Sequence, residues 1–170
     1  LAIVGMPNVG KSSLMNGLLQ EEKSIVTPLA GTTRDSIDSF LRYHKKDIRL
    51  IDTAGLRKKS KIQGDIEFYS TVRTFRVIQE CDIAAVLIDA DKGFNNQDKD
   101  IIRLVINSGK GLIIVVNKWD LLEKNIHTQK EYRQNIIDQY PVLVYYPILF
   151  ISVSHNLRLR EVLIITLAVF

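Results

Sequence analysis

Residues 5–12 read Gly-Met-Pro-Asn-Val-Gly-Lys-Ser, which is the spacing of a phosphate-binding loop. They follow an apolar run at 1–4 and precede a helix-forming stretch, the context in which this spacing has a mechanism. Gly5 and Gly10 let the backbone turn tightly and aim successive N–H groups at phosphate oxygens. Lys11 is then expected to contact the β- and γ-phosphates, and the Ser12 hydroxyl to ligate Mg²⁺. The pattern predicts that the chain binds a nucleoside triphosphate.

A second motif, Asp52-Thr53-Ala54-Gly55, ends a predicted strand 41 residues after Lys11. The Asp52 carboxylate there can hold Mg²⁺ through water, and the N–H of Gly55 can meet the γ-phosphate. The next residue is Leu56, whose side chain cannot orient an attacking water by hydrogen bonding. We therefore expect slow hydrolysis by the chain alone, and no catalytic residue is identified from the sequence.

A third motif, Asn117-Lys118-Trp119-Asp120, follows a continuous apolar run and is expected to select the base of the nucleotide. The Asp120 carboxylate can accept hydrogen bonds from N1–H and the N2 amino group of guanine, donors that adenine lacks on that edge. Asn117 is expected to tie neighbouring loops together and to meet the base, while the Lys118 stem covers the base face. The predicted nucleotide is GTP rather than ATP.

Residues 31–35, Gly-Thr-Thr-Arg-Asp, lie in a loop after the first predicted helix. A threonine in this loop can ligate Mg²⁺ only while the γ-phosphate is present, which predicts a nucleotide-dependent switch.

Residues 57–61 form a basic run for which two interpretations stay open. It is either a solvated face or a contact to RNA phosphates that responds to the bound nucleotide.

Short apolar runs alternate with stretches of helical period, which predicts an α/β fold with a mostly parallel six-stranded sheet and helices on both faces. The predicted strands are 1–5, 36–43, 47–52, 83–89, 111–117 and 147–152. The predicted helices are 11–20, 66–79, 96–108, 129–138 and 158–169. The second and third strands are too close for a crossover helix, so they should form an antiparallel hairpin at the sheet edge. Gly5, Asp52, Asp89, Asn117 and Ser152 should then meet at the carboxyl-end rim.

The chain has 170 residues, of which 46% are hydrophobic and 25% charged, and this balance predicts one globular domain spanning 1–170. Its first residues already form a predicted strand, so we expect a part of a longer multidomain polypeptide. Cys81 is the only cysteine, which fits a reducing cytosol and a cytoplasmic protein. The apolar stretch at 162–170 is too short to cross a bilayer, so no membrane association is expected. The net charge of +4 does not identify a partner.

In this order, GMPNVGKSS, TPLAGTTRD, DTAGLRKKSK, IEFYSTVR and VVNKWD resemble the TrmE–Era–Der group of P-loop GTPases. Within that group the chain is similar to the second GTPase domain of the Der (EngA) family, which acts in assembly of the large (50S) ribosomal subunit. The resemblance implies a Ras-like GTPase domain that binds GTP and GDP with Mg²⁺. It also implies contact with ribosomal RNA or proteins, and with other domains of the same chain, in the full-length protein.

The resemblance assigns site residues as well. It implies phosphate contacts by Asn8, Val9, Gly10, Lys11, Ser12 and Ser13, γ-phosphate sensing by residues 52–55, and guanine contacts by Asn117, Lys118 and Asp120. It places Mg²⁺ on Ser12, Thr33 and Asp52, and a potassium ion on Asn8, Thr27, Leu29 and Thr32. Ser152-Val153-Ser154 departs from the family's Ser-Ala-Leu or Ser-Ala-Lys, although Ser152 and the Val153 N–H can still meet guanine O6.

Two alternatives to a ribosome-assembly GTPase stay open from the sequence. The domain can hold GTP or GDP as a regulatory ligand with little hydrolysis of its own. It can also belong to a related GTPase that serves tRNA modification, since such proteins share these motifs.

Overall fold

The structure is a computed structural model that describes residues 1–21, 38–51, 66–123, 125 and 127–170, with the side chains of 21 and 66–71 left undescribed. Its strands are β1 (Ala2–Gly5), β2 (Ser39–Tyr43), β3 (Lys46–Leu50), β4 (Ile83–Asp89), β5 (Gly111–Asn117) and β6 (Ile148–Phe150). Its α-helices are α1 (Lys11–Glu21), α2 (Ile66–Glu80), α3 (Asn96–Asn107), α4 (Thr128–Gln139) and α5 (Leu159–Val169). Short 3₁₀ helices at Trp119–Leu121 and Pro141–Tyr145, which the sequence did not predict, complete the described elements.

A four-stranded parallel sheet in the order β1-β4-β5-β6 forms the centre of the molecule. Gly5 pairs with Leu87 at the end of β1, and Asp89 pairs with Asn117 at the ends of β4 and β5. These strands therefore end at one rim, as the sequence predicted for Gly5, Asp89 and Asn117.

The remaining two strands form the predicted antiparallel hairpin β2-β3. The Leu1 nitrogen donates to the Arg49 carbonyl at 2.8 Å, and the Ile51 N–H donates to the Leu1 carbonyl at 3.0 Å, so the hairpin lies beside β1. Its turn contains two residues, His44 and Lys45, with φ of 47° and 64°. Both central φ values are positive, as in a type I′ turn, and the tip is one residue shorter than the predicted three-residue link.

Helices cover both faces of the sheet, and strand β4 shows why. All of its residues are buried, and the apolar residues 83–88 alternate between two apolar clusters. Even-numbered residues of β4 pack with α2, α3 and α4, whereas odd-numbered residues pack with α1 and α5. The α/β fold with a mostly parallel sheet, an antiparallel edge and helices on both faces is confirmed. In the described ranges the six strands form a four-stranded and a two-stranded sheet, however, and not the single six-stranded sheet that was predicted.

The apolar stretch at 162–170 lies almost wholly in α5, which buries one side against the sheet. Its single polar residue within the buried side, Thr166, donates its hydroxyl to the Val162 carbonyl at 2.6 Å. Cys81 is a buried free thiol. Among the helices of the described ranges, none has the length and apolar character needed to cross a membrane.

Candidate functional site

The loop between β1 and α1 is held in a conformation that only small or special residues accept. Gly5 and Gly10 have φ of +143° and +100°, and Asn8 lies in the left-handed region with φ of 66°. A Cβ atom on Gly5 would lie 2.5 Å from the Leu87 carbonyl oxygen, and one on Gly10 would lie 2.3 Å from Asn117 Nδ2. Glycine is therefore required at both ends of the loop.

Lys11 lies in the first turn of α1 and folds its side chain back over this loop. Its Nζ donates to the carbonyl oxygens of Gly5, at 2.9 Å, and Met6, at 2.6 Å. Helix α1 carries no acidic residue in its first turn, so no carboxylate there offsets the positive end of its dipole. Loop N–H groups, helix terminus and ammonium together form an electropositive cradle suited to phosphate.

Asn117 joins the loop to two other segments of the rim. Its Nδ2 donates to the Val9 carbonyl at 2.8 Å, and its Oδ1 accepts the Val153 N–H at 3.2 Å. The residue is 2% exposed, so both contacts lie inside the protein. In this structure the Val153 N–H, expected to meet guanine O6, is therefore bonded to Asn117.

Asp120 presents a charged carboxylate at the edge of the rim. The Ser152 hydroxyl donates to Asp120 Oδ1 at 2.5 Å, and this hydrogen bond is the main cause that lowers the pKa of Asp120. His155 Nδ1 lies 3.5 Å from Asp120 Oδ2. This contact of His155 was not predicted, because nothing in the sequence spacing of His155 indicates a carboxylate partner. The carboxylate side chain keeps 19% of its surface exposed, which leaves it accessible to a ligand.

An aromatic cluster supports the loop that carries Asp120. Trp119 packs edge-on against Tyr132 and Phe150, with ring centroids 5.4 and 4.6 Å away. The Tyr132 hydroxyl donates to the Ala90 carbonyl at 3.1 Å, and burial raises the pKa of Tyr132 to about 12. The Trp119 side chain is thus part of the core packing, and its backbone N–H fixes the start of the loop because it donates to the Ile151 carbonyl.

Part of the predicted site lies outside the described residues. This holds for Thr27, Leu29, Thr32 and Thr33, for Asp52, Thr53, Ala54, Gly55 and Leu56, and for the basic run at 57–61. Ser12 and Ser13 lie beside Lys11 in the first turn of α1. Within the described ranges, no group of three or more His, Cys, Asp or Glu side chains is placed to hold a metal ion.

Comparisons with known proteins agree with this geometry. A sequence profile of the family described as 50S ribosome-binding GTPase matches residues 1–118. GTPase Der of Amoebophilus asiaticus is 49% identical over 161 residues, which make up 95% of this chain and 37% of that protein. GTPase Der of Chlorobium phaeobacteroides is 53% identical over 152 residues, or 89% of this chain and 35% of that protein. The chain therefore spans about a third of the length of these curated relatives.

Solved structures lead to the same group. Era in complex with MgGDPNP and nucleotides 1506–1542 of 16S ribosomal RNA superposes with a TM-score of 0.74 at 27% identity, covering 98% of this chain and 55% of that chain. A variant of Aquifex aeolicus Era bound to GDP·AlF4⁻ gives a TM-score of 0.74 at 28% identity, covering 99% and 56%. With the phosphate cradle and the Asp120 carboxylate on one rim, these similarities show that the chain belongs to the 50S ribosome-binding GTPase family, as a single GTPase domain similar to those of Der.

Proposed function

We propose that this chain binds GTP and GDP at the rim described above, hydrolyses GTP with Mg²⁺, and acts as a nucleotide-dependent switch in assembly of the large ribosomal subunit. The observation that carries the proposal is the hydrogen bond from Asn117 to the Val9 carbonyl. It joins a phosphate cradle to a loop that offers a carboxylate, and a guanine nucleotide needs both groups at once.

At the phosphate end, the proposed contacts come from backbone N–H groups of Asn8 to Ser13 and from the Lys11 ammonium. The bonds from Lys11 Nζ to two loop carbonyls keep the ammonium at the loop, so a change of side-chain torsion brings it to the β- and γ-phosphates. A Lys point charge there stabilises both GTP and GDP and adds more where the γ-phosphate is present.

At the base end, Asp120 would accept the N1–H and N2 amino hydrogens of guanine. Because Ser152 donates to Oδ1, the carboxylate stays charged and keeps further lone pairs for the base. The proposed base contacts also include Asn117, Lys118 and Ser152, and Val153 would offer its N–H to guanine O6 in exchange for its hydrogen bond to Asn117. Adenine would leave Asp120 without these donors.

The proposed metal ligands are oxygen atoms, which suit Mg²⁺. They are the Ser12 hydroxyl, with Thr33 directly and Asp52 through water. When bound, Mg²⁺ would neutralise phosphate charge that develops during hydrolysis. A potassium ion on Asn8, Thr27, Leu29 and Thr32 would do similar electrostatic work, and residues 52–55 would sense the γ-phosphate. These roles follow from the family resemblance.

The cellular role rests on similarity. The relatives are named GTPase Der, the profile is that of 50S ribosome-binding GTPases, and Era has been crystallised with 16S ribosomal RNA. We infer that the chain is the second GTPase domain of a longer cytoplasmic protein. Its other domains would contact it, and the whole protein would bind RNA or proteins of the large subunit.

The test is calorimetric titration with GTP, GDP and ATP in the presence of Mg²⁺, followed by single-turnover hydrolysis in KCl and in NaCl. We expect binding of GTP and GDP, no measurable binding of ATP, and slow phosphate release that is faster in KCl. Binding without phosphate release in either salt would favour the regulatory-module alternative. Equal binding of ATP would contradict the proposal.

A further inference from the structure

A partly buried ion pair lies next to the loop that carries Asp120. Asp89, the last residue of β4, is 3% exposed and accepts the Lys118 Nζ on its Oδ2 at 2.5 Å. Its Oδ1 accepts the Asp91 N–H at 3.1 Å. Both carboxylate oxygens of Asp89 thus have partners, and a buried carboxylate needs them because burial without a cation or donor is costly.

The backbone around this carboxylate is fixed on both sides. The Asp89 carbonyl accepts the Gly93 N–H at 3.1 Å, and the Ala90 N–H donates to the Asn117 carbonyl at 2.9 Å. Asp89 is also the register partner of Asn117, the residue before Lys118. The carboxylate is therefore a rigid anchor on the strand next to the base-recognition loop.

Lys118 is the partly exposed member of the pair. Its backbone is left-handed, with φ of 61° and ψ of 30°, so the chain turns sharply as it leaves β5. The side chain is 32% exposed although its ammonium is bound to buried Asp89. Its hydrocarbon stem therefore crosses from β5 to β4 along the rim, with one side open to a ligand.

We propose that Asp89 is a positioning residue for guanine nucleotides, which holds the Lys118 stem in place as an apolar wall against the face of the base. This role rests on the proposed binding of guanine nucleotides by the chain. Without Asp89, Lys118 would adopt many rotamers, and nucleotide binding would have to order it again. The wall contacts the face of the base and not its edge. Loss of the wall should therefore weaken the binding of every purine nucleotide that Asp120 accepts by the same factor.

The test is a double-mutant cycle on nucleotide affinity with the variants Asp89→Asn, Lys118→Met and the double variant. GTP and ITP are the probes, since ITP lacks the N2 amino group but presents a similar face. We expect Asp89→Asn to weaken both nucleotides about tenfold and to leave their ratio unchanged. In the Lys118→Met background the same substitution should change the Kd less than about twofold.

The control is Asp100→Asn, which removes an exposed ion pair with Arg103, and it should leave both affinities unchanged. An equal further loss from Asp89→Asn in the Lys118→Met background would overturn the role, because Asp89 would then act through the fold. A changed GTP-to-ITP ratio would also overturn it. Wild-type protein that binds no GTP would overturn the proposed function itself, whereas normal wild-type binding with an unaffected Asp89→Asn variant overturns the role of Asp89 alone.

If Asp89→Asn does not fold, Asp89→Glu takes its place in the same cycle, because it keeps the negative charge but moves the carboxylate by one methylene group. It should weaken both nucleotides by about threefold in the wild-type background and have no effect with Lys118→Met. An effect of the same size in both backgrounds would contradict the role.

Discussion

The two ends of the proposed nucleotide site are built in opposite ways. The phosphate end consists of consecutive residues, 5–12, and its geometry comes from backbone torsions and from the absence of Cβ atoms at Gly5 and Gly10. The base end consists of side chains from two separate segments, 117–120 and 152–155, which meet because β5 and β6 pair in parallel. A local backbone loop is enough to bind charged phosphates, whereas discrimination between bases needs side chains that are placed by the whole sheet.

The two ends meet at one contact, where Asn117 lies against Gly10 and donates to the Val9 carbonyl. Substitutions that affect this contact should damage both ends, and substitutions on one side of it should damage only one. Three substitutions and one pH titration separate these cases, in order of decreasing effect.

Gly10→Ala should affect both ends. Its Cβ would lie 2.3 Å from Asn117 Nδ2, and its φ of +100° is strained for alanine. The hydrogen bond from Asn117 Nδ2 to the Val9 carbonyl should therefore break. We expect GTP affinity to fall at least about hundredfold and the thermal midpoint to drop, measured by calorimetry and thermal unfolding. Gly93→Ala is the matched control, because Gly93 also has a positive φ, of +74°, but has nothing within 4 Å of an added Cβ. Equal losses in both variants would mean that backbone strain alone explains the effect.

Lys11→Ala should affect the phosphate end alone. Loss of the ammonium should weaken GTP and ITP equally, by about hundredfold. The GTP-to-ITP ratio, measured by competition binding, should not change because Asp120 is untouched. A ratio that shifts by more than about threefold would show that the two ends are not separable.

Ser152→Ala should affect the base end alone. It removes the hydroxyl donated to Asp120 Oδ1, and we expect GTP affinity to fall about fivefold. Ser108→Ala serves as its control, since Ser108 accepts from Gln79 far from the rim and should leave affinity unchanged. If Ser152→Ala binds GTP like the wild type, Asp120 does not need this support.

The smallest effect is on pH dependence. The hydrogen bond from Ser152 is the largest cause that lowers the pKa of Asp120. The carboxylate is therefore fully charged above the ordinary pKa of an aspartate, and it loses its charge only as the pH falls through the lowered pKa. The GTP affinity that depends on this charge should be lost over the same pH range. Ser152→Ala should raise the pKa of Asp120, and the acid loss of GTP affinity should begin at higher pH. Binding titrations at decreasing pH measure this shift, and identical profiles would contradict it.

Much of the fold was predictable from sequence because apolar runs and helical periods are local signals. All six predicted strands and all five predicted helices are present in the described ranges, with differing ends. The turn at His44 and Lys45 was placed to within one residue, but its two positive φ values were not predicted, since neither residue is glycine or asparagine. The 3₁₀ helix at Pro141–Tyr145 was missed because its residues resemble a strand.

The parts of the site that depend on contacts between distant segments of the chain were harder to predict from the sequence. The motifs and strand ends placed Gly5, Asp52, Asp89, Asn117 and Ser152 at one rim because parallel strands end together. They could not show that Asp89 binds Lys118, nor that His155 lies beside Asp120, because both contacts depend on register and side-chain direction. The switch residues Thr33 and Asp52 to Gly55 stay predictions.

Asp120→Asn tests most directly whether Asp120 selects the base while the cradle around Lys11 holds the phosphates. An amide donor in place of a carboxylate oxygen suits the C2 carbonyl of xanthine and opposes the N2 amino group of guanine. Competition binding of GTP and XTP to both proteins should show a preference for GTP in the wild type and for XTP in the variant. A variant that still prefers GTP, or a wild type that binds both equally, would contradict the account.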